Sequence, residues 1–352
     1  MKTNKTIFKL LAFALVATSI FSCSKDEGII EIPEVRSGFY ILNEGGFNSN
    51  NSSLDFYNLE NSSLTSSFFA QKNGRGLGDT GNDAQIYGSK MYIVMNASNT
   101  VEVVDAKTVK SIKQLDFKNN GKGRQPRYVV FNKNKAFVSS YDGTIAVIDT
   151  ASLSIEKYIT VGRNPEQMAI ANNKLYVANS GGLDYPNYDK TVSVVDLNTL
   201  VEIKKIIVTE NPGGVTATAD GRIYVKSTGN YSNIKPTLTI IDSSTDEVKS
   251  AKEFSGGKMT VVGDKAYFLT STGIKEYDLK TDLMSKENII SDGTTFKITY
   301  GLSYDKVNQQ FFVCDAQSYS GTGVVYCFDK NGKMLYKTNA GVLPSKVIFL
   351  SK

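Results

Sequence analysis

Histidine and tryptophan are both absent from this sequence of 352 residues. Without histidine, the chain cannot form a Ser-His-Asp or Cys-His nucleophile system. It cannot form a histidine-ligated zinc, non-haem iron or haem site either. These absences exclude most common hydrolase and metalloenzyme mechanisms. We therefore expect a protein that is not an enzyme and that holds no metal and no intrinsic cofactor.

Proline is scarce and the charge is nearly balanced. The chain has 7 Pro against 29 Gly, which favours tight turns over a proline-rich linker, and 41% hydrophobic with 21% charged residues indicate a globular protein. The net charge of +5 includes Lys2, Lys5 and Lys9 of an N-terminal leader that has no acidic residue. The rest of the chain lacks the basic excess of nucleic-acid-binding proteins, so we exclude nucleic acid as a partner.

The N-terminal segment is typical of an exported bacterial lipoprotein. Its apolar run, residues 10–17, is too short to span a bilayer. Residues 19–23 resemble a lipobox, in which Cys23 is lipidated and becomes the new N-terminus. Residues 24–27, which include the acidic Asp26 and Glu27, resemble the surface-export signal of Bacteroidota lipoproteins, and an acidic linker is the alternative. We predict a lipid anchor in the outer membrane and exposure at the cell surface.

The predicted divisions of the chain are a signal peptide (1–22), Cys23 with a tether (23–37) and one globular domain (38–352). Within that domain one pattern recurs seven times. A strand of apolar and aromatic residues, as in 90–94 and 174–177, is followed by a strand that ends in Asp or Asn. Six of these aspartates lie 44, 47, 46, 36 and 51 residues apart: Asp105, Asp149, Asp196, Asp242, Asp278 and Asp329.

This repeat predicts the fold class. Apolar residues alternate with a period of two, and no helical stripe is present. A repeat of roughly 45 residues with four short strands is typical of a β-propeller blade. Residues 38–42 match a second strand that has no first strand before it, and residues 344–350 match the missing strand. We predict an all-β, seven-bladed β-propeller closed by pairing of the N- and C-terminal strands in one blade; a parallel β-helix is the rival.

The loops at one mouth of such a channel vary most in length. Three are long, residues 43–53, 179–190 and 227–235, and residues 315–323 form an intermediate one. They carry tyrosines among Asn, Ser and Gly, the composition of adaptable recognition surfaces. The predicted ligand-binding residues are Asn96, Arg124, Tyr141, Arg163, Asn179, Tyr185, Tyr188, Tyr231 and Tyr319.

Several alternatives stay open at this mouth. The tyrosines could instead pack over the ends of neighbouring blades. Arg124 and Arg163 could hold a phosphate or carboxylate in a bidentate fork, or Arg163 could form a salt bridge. Asp184 and Asp189 share a loop but lack the oxygen-ligand spacing of a calcium site.

Two cysteines remain after Cys23. Cys314 and Cys327 lie on adjacent strands of one blade, and export to an oxidising compartment permits a disulfide between them. Alignment of the blades favours different sheet faces for the two side chains, which argues against the bond. The pairing is therefore left open at this point.

The repeat also resembles a known family. Residues 164–179 followed by 191–196 are similar to the YncE-like propeller repeat, and Asn211-Pro212 restarts the pattern in the next blade. With the lipobox and the acidic export signal, the chain resembles the BtuG family of Bacteroidota surface lipoproteins. The resemblance implies cobalamin (vitamin B12) or another corrinoid as the bound ligand, and a TonB-dependent outer-membrane transporter of the BtuB type as the partner.

Two other functions stay open. One is a surface propeller that binds a glycan or a protein in another uptake system, although glycan platforms usually rely on the tryptophan that is absent here. The other is an enzyme such as a lactonase or lyase, which the absence of histidine disfavours.

Overall fold

The computed structural model describes residues 34–352, and their regular structure is almost entirely β. The predicted signal peptide, the lipidation site Cys23 and most of the predicted tether lie outside the described residues. The ordered β-structure begins at Arg36, two residues before the predicted boundary. Among residues 34–352, no helix has the length and apolar character needed to cross a membrane.

Seven antiparallel four-stranded sheets form the blades of a β-propeller, which confirms the predicted fold. We count the strands of each blade from the first, beside the axis, to the fourth, at the periphery. Blade 1 opens with β1 (Arg36–Asn43), β2 (Ser53–Asn58) and β3 (Ser63–Thr65), followed by helix α1 (Phe68–Asn73). Blade 2 consists of β4 (Gly81–Tyr87), β5 (Lys90–Met95), β6 (Thr100–Asp105) and β7 (Ser111–Asp116). A short hairpin follows, made of β8 (Lys118–Asn119) and β9 (Lys122–Gly123).

Five further blades complete the ring. Blade 3 consists of β10 (Pro126–Asn132), β11 (Lys135–Ser140), β12 (Thr144–Asp149) and β13 (Ser154–Thr160). Blade 4 consists of β14 (Pro165–Ala171), β15 (Lys174–Asn179), β16 (Thr191–Asp196) and β17 (Val201–Ile207). Blade 5 consists of β18 (Pro212–Ala217), β19 (Arg222–Ser227), β20 (Thr237–Asp242) and β21 (Glu247–Glu253). Blade 6 consists of β22 (Met259–Val262), β23 (Lys265–Thr270), β24 (Gly273–Asp278) and β25 (Leu283–Lys286). Blade 7 consists of β26 (Thr299–Asp305), β27 (Gln310–Asp315), β28 (Thr322–Phe328) and β29 (Met334–Val342).

The last strand of the chain closes the ring. Strand β30 (Pro344–Ser351) is the first strand of blade 1 and pairs with β1, so that Tyr40 lies opposite Ile348 and Phe39 opposite Phe349. The C-terminal strand thus supplies the strand that the N-terminal blade lacks, as predicted. Closure leaves no gap in the ring of sheets.

The core consists of seven apolar clusters among the described residues, one between each pair of neighbouring blades. The third strand β12 contributes to two of these clusters, because its four consecutive residues Ile145 to Ile148 are fully buried. Neighbouring blades cover both of its faces, and a continuous apolar run is the sequence pattern of such a strand. The fourth strand β13 has one fully buried residue, Ile159, because its blade ends there.

The aspartates of the repeat hold the turn between the third and fourth strands. In Asp105, for example, the carboxylate accepts the backbone N–H groups of Lys107 and Thr108 at 3.1 and 2.8 Å. We call five of these groups the third-strand carboxylates: Asp105, Asp149, Asp196, Asp242 and Asp278. Hydrogen bonds from the following two or three residues hold the pKa of each below its usual value.

The tyrosines of the repeat join neighbouring blades. The hydroxyl of Tyr176 donates to Asp246 of the next blade, whose carboxylate also pairs with Lys174 at 2.7 Å. The hydroxyl of Tyr224 makes the same bond to Asp282 at 2.7 Å. The equivalent Tyr92 is fully buried, but its hydroxyl has no hydrogen-bond partner among the described residues. The repeat therefore supplies a link at some blade junctions and an unsatisfied hydroxyl at another.

Candidate functional site

One face of the ring gathers the long loops. First strands begin and second strands end at the same side of each blade, because neighbouring strands are antiparallel. The loops after the second strands therefore surround one end of the axis, and we call this face the mouth. The longest of them span residues 44–52, 180–190, 228–236 and 316–321.

Three of the predicted tyrosines meet at the mouth. The ring centroids of Tyr185 and Tyr188 lie 6.0 Å apart, and those of Tyr188 and Tyr231 lie 6.1 Å apart, both edge to face. Tyr185 and Tyr231 are each 73% exposed although they are large and partly apolar. Burial among the rings raises the pKa of Tyr188, with smaller contributions from the other two hydroxyls. We call these three residues the rim tyrosines.

Other exposed apolar side chains lie on the same face. Phe47 is 69% exposed in the loop of blade 1, and Leu183 is 64% exposed beside the rim tyrosines. Tyr319 is exposed in the loop of blade 7 and has no ring contact among the described residues. The structure thus brings together three of the four predicted loop tyrosines and leaves Tyr319 apart from them.

Each of the two predicted arginines forms an ion pair with an aspartate in the loop after the second strand of the same blade. Arg163 forms an ion pair with Asp184 and donates to the carbonyl of Asn187 at 2.8 Å. Its backbone N–H donates to Asp189 at 3.1 Å, so both carboxylates of the calcium alternative contact Arg163. Within residues 34–352 no group of three or more His, Cys, Asp or Glu side chains could hold a metal ion.

Arg124 pairs with Asp142 and lies 3.8 Å above the ring of Tyr158. Its guanidinium therefore has internal partners, as that of Arg163 does. Tyr141 donates its hydroxyl to Glu166 at 2.5 Å, which makes it part of an internal network.

Asn96 and Asn179 are buried and hold backbone in place. The side chain of Asn96 donates to the carbonyl of Pro126 at 3.2 Å. The amide of Asn179 donates to Thr191 and Ser193 at 2.9 and 2.8 Å, and its oxygen accepts the N–H of Gly162 at 3.2 Å. These contacts satisfy both side chains from within the fold, so the exposed tyrosines of the predicted set are Tyr185, Tyr231 and Tyr319.

Cys314 and Cys327 are free thiols, which corrects the disulfide alternative. The two side chains belong to the same buried cluster, so the expectation of different sheet faces is also wrong. The strand register pairs Cys314 with Val325 and Cys327 with Phe312, which makes the two cysteines diagonal neighbours. Diagonal neighbours lie roughly 7–8 Å apart, beyond the span that a disulfide bridges without movement of the backbone.

The axis holds charged residues that the sequence analysis missed. A cavity of about 340 Å³ is lined by the first strands of all seven blades. Near the mouth, Arg127 donates to both carboxylate oxygens of Glu166 at 3.1 and 3.3 Å. The hydroxyl of Tyr300 donates to Glu44 at 2.7 Å. Deeper along the channel, Lys346 pairs with Asp83 at 2.6 Å.

One position of the repeat contains Arg127, Glu166 and Tyr300. In six blades this position is the second residue of the first strand, after an opening Gly, Pro or Thr. In blade 6 it lies one residue before the first strand. Aligned on that position, the seven blades supply Asn82, Arg127, Glu166, Gly213, Lys258, Tyr300 and Ser345. Six of these seven carry polar groups, which is the signal that could have located the axial site.

A family model described as a domain of unknown function, DUF5074, matches residues 37–350. The chain belongs to the DUF5074 family. The match spans both strands that close the ring, β1 and β30. No curated protein matches the sequence.

Solved structures share the propeller of this DUF5074 chain. A quinonprotein alcohol dehydrogenase-like protein from Bacteroides thetaiotaomicron is 19% identical with a TM-score of 0.65, over 90% of this chain and 79% of the other. Hydrazine synthase of Kuenenia stuttgartiensis is 14% identical with a TM-score of 0.62, over 75% and 88%. The dihydro-heme d1 dehydrogenase NirN is 10% identical with a TM-score of 0.56, over 90% and 76%. At these identities the likeness shows the fold and does not transfer the chemistry of the enzymes.

Proposed function

We propose that this protein is a surface lipoprotein of the YncE-like, BtuG type, which captures cobalamin or another corrinoid at its mouth and passes it to a TonB-dependent outer-membrane transporter. The observation that carries the proposal is the exposed cluster of rim tyrosines, which has no partner on its outer side within the described residues. Exposed apolar patches on soluble domains mark binding surfaces.

The chemistry of the rim suits a large, flat ligand that carries amide groups. The faces of Tyr185 and Tyr231 offer rigid apolar area, while their hydroxyls and the neighbouring Asn and Ser side chains offer hydrogen bonds. A corrin ring with its amide arms presents both kinds of surface. Because the sequence has no histidine, the protein cannot replace the lower base at cobalt with an imidazole. Recognition in this proposal therefore rests on shape and hydrogen bonds.

The apolar side chains beside the tyrosines suit a protein partner. Phe47 and Leu183 are exposed at the mouth and carry no polar group that a small polar ligand would need. Aromatic and aliphatic side chains of this kind form the centres of protein interfaces. In the proposal they contact the transporter while the ligand is held between the two proteins.

Calorimetric titration of the protein without its leader with cyanocobalamin tests the proposal. We expect one-to-one binding and a visible spectrum that keeps the base-on form. Tyr185→Ala and Tyr231→Ala should each weaken binding about tenfold or more, in line with truncation of an aromatic residue at a binding centre.

Tyr87→Ala is the matched control. Tyr87 is a partly exposed tyrosine at the far end of strand β4, on the face opposite the mouth. The Tyr87→Ala substitution should leave the affinity for cyanocobalamin unchanged. The absence of heat with cyanocobalamin and cobinamide would rule out the corrinoid. A glycan or protein ligand of another uptake system, which the same exposed tyrosines could also bind, would then become the leading candidate.

A further inference from the structure

Lys226 departs from the pattern of its repeat. It is the fifth residue of the second strand β19, counted from Arg222. The six other blades place uncharged, buried residues at this position: Leu42, Val94, Ser139, Ala178, Leu269 and Cys314. A charged group in such a position is costly unless something compensates it.

Two glycines allow Lys226 to reach the axis. Gly214 lies opposite Lys226, and a Cβ added there would lie 3.2 Å from the Cβ and 3.4 Å from the Cε of Lys226. The missing side chain therefore leaves room for the aliphatic stem. Gly213 occupies the repeat position where other blades supply Arg127 or Glu166, and a Cβ added there would meet no atom within 4 Å. The ring of axial side chains thus has a gap at blade 5.

The gap opens a polar pocket of about 220 Å³. Lys226 and Lys258 both line the pocket, and Asn211 and Thr228 add neutral donors. The ammonium of Lys258 donates to a neutral acceptor, the carbonyl of Ser345, at 3.2 Å. The ammonium of Lys226 has no hydrogen bond or ion pair with any residue in the described range 34–352.

The surrounding acids leave one positive charge uncompensated. Arg127 and Glu166 neutralise each other, and Asp83 is paired with Lys346. Glu44 is the remaining acid whose charge acts on Lys258, and it already accepts the hydroxyl of Tyr300. Two lysines therefore face one carboxylate.

We infer that the pocket between Lys226, Lys258 and Gly213 is a binding site for a singly charged oxyanion, either a phosphodiester or a carboxylate. The two ammonium groups supply charge-assisted hydrogen bonds, and Gly213 supplies the space. This site lies on the axis rather than at the rim tyrosines. An oxyanion site on the axis does not depend on which ligand the rim tyrosines bind, so it goes beyond the proposed function.

The electrostatics of the two lysines favour an added negative charge. Burial lowers the pKa of Lys258, and burial together with the charge of Lys258 lowers the pKa of Lys226. An oxyanion between them would favour the charged form of both and move both pKa values back toward the ordinary value for lysine.

Amide NMR of the protein without its leader, titrated with dimethyl phosphate and separately with sodium acetate, tests the inference. Ionic strength is held constant with sodium chloride, so that general screening does not change. We expect saturable shifts of the amides of Gly213 and Thr228 with at least one probe. Tighter binding of dimethyl phosphate assigns the site to phosphodiesters, and tighter binding of acetate assigns it to carboxylates.

Three variants distinguish specific binding in the pocket from general electrostatic attraction of anions to the surface. Lys226→Met should weaken binding about tenfold or more, the usual effect of losing a hydrogen bond to a charged group. Gly213→Leu should weaken it similarly by filling the gap while leaving the charge unchanged. Lys190→Met removes an exposed lysine from the same face and should have no effect. Shifts that do not saturate with either probe, or equal weakening by Lys190→Met and Lys226→Met, would overturn the inference.

Discussion

Removal of β30 tests how far the ring depends on its last strand. A chain that ends at Leu343 loses three buried aliphatic side chains: Val347, Ile348 and Leu350. Burial of each contributes about 1.5–3 kcal/mol, so the deletion removes roughly 5–9 kcal/mol. The free energy of unfolding of a whole domain is about 5–15 kcal/mol. We therefore expect the truncated chain to lose most or all of its cooperative unfolding transition.

Urea denaturation followed by circular dichroism measures this loss, with limited proteolysis as a second readout. Deletion of Lys352 alone is the control, since this residue follows β30. A synthetic peptide of residues 344–352, added in excess, should restore stability in proportion to the logarithm of its concentration, as a ligand of the native state does. If the truncated chain unfolds at the same urea concentration and with the same slope as the complete chain, closure by β30 does not stabilise the ring.

Three further predictions concern the tyrosine links between blades, the two buried cysteines and the third-strand carboxylates. Tyr176→Phe should lower the free energy of unfolding by about 1.5–3 kcal/mol because its hydroxyl donates to a carboxylate, whereas Tyr92→Phe should leave it unchanged or raise it; equal losses in urea denaturation would contradict this. Burial raises the pKa of Cys314 and Cys327 to about 12, so neither thiol should react with a thiol reagent in the folded protein. Both should react in denaturant without reductant, and a chain without reactive thiols there would contain the disulfide after all. The third-strand carboxylates have lowered pKa values, two of them about 2 instead of 3.8. Their contribution to the stability of the folded protein is therefore complete above pH 4 and is lost as the pH falls toward 2. Urea midpoints that stay constant over this range at low salt would refute this prediction.

The fold was predictable because each repeat carries its own local signals. Alternating apolar residues indicate strands, and an Asp at the end of the third strand accepts the N–H groups of the turn that follows. The closure of the ring was predictable because the first blade begins on a second strand and lacks a first strand of its own. The faces of Cys314 and Cys327 depend on the register of β27 against β28, which pairs Cys314 with Val325 and Cys327 with Phe312. A register difference of one residue moves a side chain to the other face, and the sequence of the hairpin did not fix that register.

The composition of the loops indicates which tyrosines are exposed, but it does not show which side chains have hydrogen-bond or ion-pair partners inside the fold. Tyr185 and Tyr231 are exposed as expected, and their loops lie on adjacent blades. Arg124 and Asn179 look equally available in the sequence, yet the fold gives them partners in a neighbouring turn or strand of the same blade. The axial residues were missed because six of the seven blades each contribute a single polar side chain at this repeat position, and these side chains come together only once seven blades surround an axis.

The pairing of β1 with β30 has a consequence for how the molecule can be attached. Strand β1 runs toward the mouth and β30 runs away from it, and the N–H of Lys352 donates to the carbonyl of Val35 at 2.9 Å. The chain therefore enters and leaves the ring side by side, on the face opposite the mouth. Immobilisation through either terminus, on a sensor chip or a bead, should leave the rim tyrosines and the axial pocket facing the solution. A short linker between residues 352 and 35 should likewise allow circular permutation, with new termini placed in a turn far from the mouth.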